Sequence, residues 1–162
     1  MDPPPDLVMG TFSKALASCG GVIAGDRDVI EYLRFHARSL VFTASAVPAA
    51  VASTLAAVRI ARREPWRAER ARTTARALAD GLRGAGYQVT GADAAIVGVR
   101  VADEWAATLA WRALMDAGIY VNVGMYPAVP RGNAILRLST TAEHTDEDIE
   151  QCVAAFTHAV RL

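Results

Sequence analysis

The chain has 162 residues with seventeen basic and seventeen acidic side chains, for a formal net charge of zero. That balance provides no field to recruit nucleic acid or a membrane surface, and no apolar run is long enough to span a bilayer. The length fits one domain or two small ones.

Residues 3–5 are all proline, so the chain enters as extended coil, without the basic segment and apolar core of a signal peptide. Residues 6–10 read as a short apolar strand that delivers Lys14. Lys14 is the only lysine; every other basic residue is arginine. Arginine keeps its proton in any protein setting, whereas a desolvated lysine can lose it and attack a carbonyl, so Schiff-base chemistry is the one basic role arginine cannot fill. Counted alone, one lysine left on a surface is an equal reading. Gly20 and Gly21 predict a turn, and residues 22–24 a short buried strand. Asp26 predicts a helix cap before Val29, Ile30 and Leu33, which share one face; His36 near that helix's end reads as a surface histidine favoured by the dipole. Leu40, Val41 and Phe42 read as a strand leading into a helix. Thr43 and Ser45 sit at that junction, where hydroxyls cap a helix or bind an anion.

Val51, Leu55 and Val58 recur at helical spacing, and Pro65 suits the start of a further helix over 67–82 that stops at Gly84 and Gly86. Arg59, Arg62, Arg63, Arg67, Arg70, Arg72 and Arg76 form a basic stripe, offset by Glu64 and Glu69. A single aromatic residue, Trp66, falls within it, too little for a stacking platform, so it reads as a solvated face rather than a nucleic-acid site. Beyond Tyr87 the texture changes. A strand is expected over 95–101, then a helix capped by Asp103, aligned on Trp105, Leu109 and Ala113 and ended by Gly118. Strands over 119–121 and 135–138 follow, and Thr145 opens a last helix buried through Ile149, Cys152, Val153, Phe156 and Val160. This pattern predicts a small sheet covered by helices. Pro127, Pro130 and Gly132 shape the loop between the last two strands. Arg137 is either an edge-strand arginine in a surface salt bridge or a guanidinium holding a carboxylate through two parallel bonds. Cys19 and Cys152 lack metal-ligand spacing; no metal is expected, and a reducing cytoplasmic setting is.

The segment Thr11-Phe12-Ser13-Lys14-Ala15-Leu16-Ala17-Ser18-Cys19-Gly20 resembles the lysine segment of fold-type I pyridoxal-phosphate (PLP) enzymes, and more narrowly that of the α-oxoamine synthases. In that family a Thr, a large apolar residue and a small residue precede the Schiff-base lysine, and small residues ending in Gly follow it. Residues 42–48 are similar to the family's Phe-(Ser/Thr)-x-Ser-x-x-Pro stretch. Residues 126–132 are similar to its entrance loop, in the form of the glycine C-acetyltransferase branch. Leu136-Arg137-Leu138 with Ala142-Glu143-His144-Thr145 resembles its Leu-Arg-(apolar)…Ala-x-His-Thr motif. Gly98 departs from a position that is often Pro.

The resemblance implies an α/β fold, a fragment of a fold-type I PLP-dependent transferase. Residues 1–64 would be the end of the large cofactor domain, and 65–162 a linking helix plus an α+β C-terminal domain. It implies PLP on Lys14, with Thr11, Thr43 and Ser45 as further cofactor-binding residues, and Arg137 on the carboxylate of the substrate. His144 and Thr145 are expected to be structural. The implied reaction condenses an amino acid with an acyl-CoA after Lys14 removes the α-proton. Thr43 and Ser45 would reach a cofactor bound mainly by the neighbouring subunit, which implies a homodimer. Intact members carry a Gly-rich phosphate segment, a ring-stacking aromatic residue and an Asp-Glu-Ala-His motif before the lysine, none of which this sequence contains. A complementing N-terminal half is therefore the other implied partner. The alternative is a non-catalytic remnant or partner-binding subunit.

Overall fold

A computed structural model describes residues 3–160. The chain divides into two compact units, Met1–Glu64 and Pro65–Leu162.

In the first unit, β1 (Leu7–Thr11) and β2 (Gly21–Gly25) pair antiparallel, with Leu7 opposite Gly25 and Thr11 opposite Gly21. A Cβ on Gly21 would stand 2.7 Å from the Gly10 carbonyl oxygen, so only glycine lets the strands approach this closely there. Helices α1 (Arg27–His36), α2 (Arg38–Val41) and α3 (Pro48–Arg63) follow. Asp26 caps α1 by accepting from the Asp28 amide at 2.9 Å. His36 lies exposed in the last turn, its ring stacked on Tyr32 at 4.1 Å between centroids.

Two expectations fail in this unit. Val22 and Ile23 are half exposed rather than buried, because a two-stranded ribbon offers no packed layer on either face. Leu40 and Val41 belong to a helix, not a strand: both amides donate back to the Ala37 carbonyl. A three-residue apolar run cannot distinguish the two by period. Among the described residues, every buried apolar side chain lies in the second unit.

That unit runs α4 (Trp66–Gly84), β3 (Val89–Gly91), β4 (Ile96–Arg100), α5 (Glu104–Asp116), β5 (Asn122–Gly124), β6 (Ile135–Ser139) and α6 (Asp146–Ala159). Its strands form an antiparallel sheet in the order β3-β4-β6-β5. Alternation puts Val97, Val99, Leu136 and Leu138 on the core side, where they cluster with Leu78 and Leu82 of α4, Leu114 of α5 and Phe156 of α6. Gly86 and Gly118 close α4 and α5 at positive φ, each followed by a residue whose amide reaches back into the last turn (Tyr87 to Leu82, Ile119 to Leu114). The buried Tyr87 hydroxyl sits 2.7 Å from the carbonyls of Phe156 and Val160, fastening the end of α6. The arginines of α4 pair with acids: Arg70 with Asp146 at 3.1 Å and Arg72 with Glu69 at 2.6 Å, an exposed solvated face.

Here too the sequence pattern misleads twice. Trp105 and Leu109 face outward, and α5 packs through Ala107, Ala110 and Leu114 instead. The larger apolar residues mark a stripe, but the small ones allow close approach to the sheet. The strand expected at 119–121 begins at Asn122, since the Ile119 amide is engaged in closing α5.

Candidate active site

Lys14 lies in the nine-residue loop, 12–20, that joins β1 to β2. The loop is tied across its base and within itself. The Phe12 amide donates to the Gly20 carbonyl, Ser18 to Phe12, and Ala17 to Lys14, each at 2.9 Å. Closing that last turn holds Ala17 at φ +47°, a left-handed conformation that a side chain makes costly. Ser18 Oγ donates to the Ala50 carbonyl in the first turn of α3 at 2.7 Å, so the loop is also anchored from outside. On this frame Lys14 Nζ stands exposed, donating to Ser13 Oγ at 3.1 Å. Ser13 Oγ is in turn 2.8 Å from Thr11 Oγ1. The loop thus gathers Thr11, Ser13 and Lys14 into one hydrogen-bonded group. Among the described residues no carboxylate pairs with the amine.

Thr43 and Ser45 lie in the same unit without a hydrogen bond to this loop. The Thr43 hydroxyl donates to the Ser39 carbonyl, and the exposed Ser45 hydroxyl has no partner among the described residues. Neither caps α3, whose N-cap is Val47. A cap was the simpler reading of these hydroxyls, and the structure does not use them so.

Arg137 sits in β6, between β4 and β5, with Gly98 opposite on one side and Asn122 on the other. It is therefore not on an edge strand. It points away from the core and is exposed, while Leu136 and Leu138 on either side of it are buried. Its Nη2 donates to Asn122 Oδ1 at 3.2 Å, and Asn122 Nδ2 donates to the Tyr120 hydroxyl, also at 3.2 Å. No salt bridge engages Arg137 among the described residues. Gly98 fits its place because a Cβ would lie 2.7 Å from Thr90 Oγ1.

His144 and Thr145 form the entrance to α6. His144 Nδ1 accepts from the Thr141 amide at 3.0 Å. Thr145 and Asp148 form a reciprocal capping box, and the bonds from the Thr145 backbone and then its side chain hold the Asp148 carboxyl below its ordinary range. Cys152 is buried on α6, and desolvation pushes its thiol up to about 11. Among the described residues no group of three or more His, Cys, Asp or Glu is placed to hold a metal, and no helix is long and apolar enough to cross a membrane.

Sequence reasoning overlooked Asn122 and Tyr120 beside Arg137, and the Ser18 anchor. An amide interrupting the apolar run from Ile119 to Val123 was the available signal for Asn122; nothing local marks Ser18.

Residues 1–156 match the family model described as aminotransferase class I and II. The chain belongs to this family. It is 43% identical over 151 residues to a putative 8-amino-7-oxononanoate synthase of Halalkalibacterium halodurans, covering 93% of this chain and 38% of that protein. It is 39% identical over 158 residues to a serine palmitoyltransferase of Sphingobacterium spiritivorum, covering 95% and 40%. A solved serine palmitoyltransferase with its PLP internal aldimine superposes with a TM-score of 0.88 at 37% identity, over 95% of this chain and 39% of that one. The described fold is thus the later part of a fold-type I enzyme, and the chain spans about two fifths of the length of these class I and II relatives. Their names fall within the α-oxoamine synthases, the group that the Lys14 and Arg137 segments resemble.

Proposed function

We propose that this chain is the lysine-bearing part of a PLP-dependent acyltransferase that joins an amino acid to an acyl-CoA. The observation that carries the reading is Lys14 itself. The one lysine stands exposed on a loop fastened by backbone bonds and by Ser18, with a hydroxyl rather than a carboxylate for a partner. An amine without a carboxylate partner has no ion pair to break before it meets a carbonyl carbon.

The residues suit the cofactor. Lys14 Nζ would hold its carbonyl carbon. Thr11, Thr43 and Ser45 offer hydroxyls for its phosphate, those of Thr43 and Ser45 toward a cofactor held mainly by a second copy of the chain in a homodimer. PLP, when bound, supplies an electron sink for the charge left on the substrate α-carbon. Arg137 binds the carboxylate of the amino acid and fixes its orientation, and Lys14 Nζ takes up the α-proton. Two unpaired thiols, Cys19 exposed and Cys152 buried, suit a reducing cytoplasm.

One observation favours a second reading, a partner-binding subunit without turnover. The first unit leaves Leu7 and Val8 half exposed and Met9, Phe35 and Phe42 largely exposed, apolar area that a further chain would cover. One experiment separates the two. The chain is assayed with PLP, glycine or serine, and acetyl-CoA for release of free thiol, alone and mixed with the segment that precedes the matched region in the H. halodurans relative. Alone, it is expected to hold PLP weakly and release no thiol. The mixture is expected to retain PLP and turn over, and Lys14→Arg to abolish both. Turnover by the Lys14→Arg mixture overturns the assignment; a mixture that associates without turnover supports the second reading.

A further inference from the structure

Among the described residues of the second unit, the arginines on helices and strands divide into two groups, apart from the loop residue Arg131, which lies over the Tyr126 ring. Those of α4 and α5 pair with carboxylates: Arg67 with Glu143, Arg70 with Asp146, Arg72 and Arg76 with Glu69, Arg83 with Asp80, and Arg112 with Asp116. The two on the open face of the sheet do not. Arg137 donates to Asn122 Oδ1, and Arg100, two residues along from the Gly98 that faces Arg137, donates to Asn133 Oδ1. Acids are abundant in this unit, yet amides hold the guanidinia that face outward from the sheet.

The difference matters physically. A guanidinium has only donors, so the amide must turn its oxygen toward it, and the Tyr120 hydroxyl, accepting from Asn122 Nδ2, fixes that orientation. The bond restrains a long, rotamer-rich side chain. It does not neutralise it, and an incoming carboxylate meets a full positive charge. A carboxylate at position 122 would hold Arg137 more tightly and compete for the same charge.

From this arrangement we infer that Asn122 is a positioning residue: it orients the Arg137 guanidinium for a substrate carboxylate while leaving its charge uncompensated. The inference rests on the proposed role of Arg137 and deepens it.

The test sets binding against stability. Glycine is titrated into the chain, and the Nε–H resonance of Arg137, identified by its loss in Arg137→Ala, is followed by NMR together with the amides of Gly98 and Asn122. Asn122→Ala is expected to weaken binding by about threefold to tenfold, the loss of one modest hydrogen bond. Asn122→Asp is expected to weaken it by more than Asn122→Ala while melting no lower than the wild type. A residue that served folding alone would give the reverse order, with alanine the worse and aspartate tolerated. Wild-type affinity in Asn122→Asp, or a larger loss in Asn122→Ala, overturns the inference and leaves the Arg137 reading standing, provided that Arg137→Ala abolishes the shifts of Gly98 and Asn122. Shifts that survive in Arg137→Ala, or that are absent from the wild type, overturn the Arg137 reading and the inference with it.

Discussion

Ser18 Oγ donates to the Ala50 carbonyl oxygen at 2.7 Å, and that bond ties the loop carrying Lys14 to the first turn of α3. The same carbonyl accepts from Thr54 Oγ1 at 2.8 Å, so losing Ser18 does not leave it unpaired. Ser18→Ala should therefore destabilise the first unit by only about 0.5–1.5 kcal/mol. Its main effect should be local, as faster hydrogen exchange at the amides of Phe12, Ala17 and Ser18 with no change in the sheet of the second unit. Unchanged exchange at those three amides would show that the backbone bonds alone hold the loop.

The two units should differ in protection. All buried apolar side chains among the described residues belong to the second, and Phe156 is fully enclosed. Amides from Ile149 to Phe156 should exchange far more slowly than those around Lys14. Phe156→Ala should cost about 3–5 kcal/mol, read as a shifted denaturant midpoint of the second unit.

Gly21→Ala should act in the opposite unit. Its Cβ would press on the backbone oxygen of Gly10 at 2.7 Å, an atom that cannot swing aside as a side-chain tip would. The β1–β2 ladder must separate. Expected are loss of amide protection in β1 and β2, and an unaltered melting midpoint for the second unit.

Alkaline stability should depend on Cys152. Burial raises its thiol from 9.0 to about 11, so the folded chain keeps this proton where the unfolded chain releases it. The contribution is whole below pH 9 and is lost as pH climbs toward 11, because there the unfolded state binds fewer protons. Tyr87, raised by its own burial, acts in the same sense at higher pH. Stability measured by denaturant titration should fall across this window in the wild type and fall less steeply in Cys152→Ala.

Acid stability should depend on the α6 cap. Asp148 is lowered by its bonds from the Thr145 amide and hydroxyl. Its contribution is therefore present above the ordinary carboxylate range and lost as pH falls through the folded value. Thr145→Ala removes the hydroxyl bond, and the acid limb of the stability profile should become shallower. An identical acid limb in the variant would place the dependence elsewhere.

Much of the fold is legible in the sequence because its signals are local. Asp26, Asp103 and Thr145 cap helices where each is followed by helical spacing, and Gly86 and Gly118 end helices that need a positive φ. The alternation of 135–139 marks its buried side directly. Lys14 and Arg137 stand out from their neighbours by residue type and motif, so the candidate site was readable before any coordinates.

Relations between distant residues were not readable. The sequence alone determined where α1, α5 and α6 begin and where α4 and α5 end, which residue can serve as the amine, and which arginine sits in an apolar strand, since each follows from side-chain chemistry and its nearest neighbours. Only the tertiary structure decided that β6 is an inner strand, that α5 packs through Ala107 and Ala110 rather than Trp105, and that Asn122 is the residue beside Arg137. Strand order and the choice of helix face depend on which surfaces can approach one another closely, and that is a property of the assembled layers, not of any segment within them.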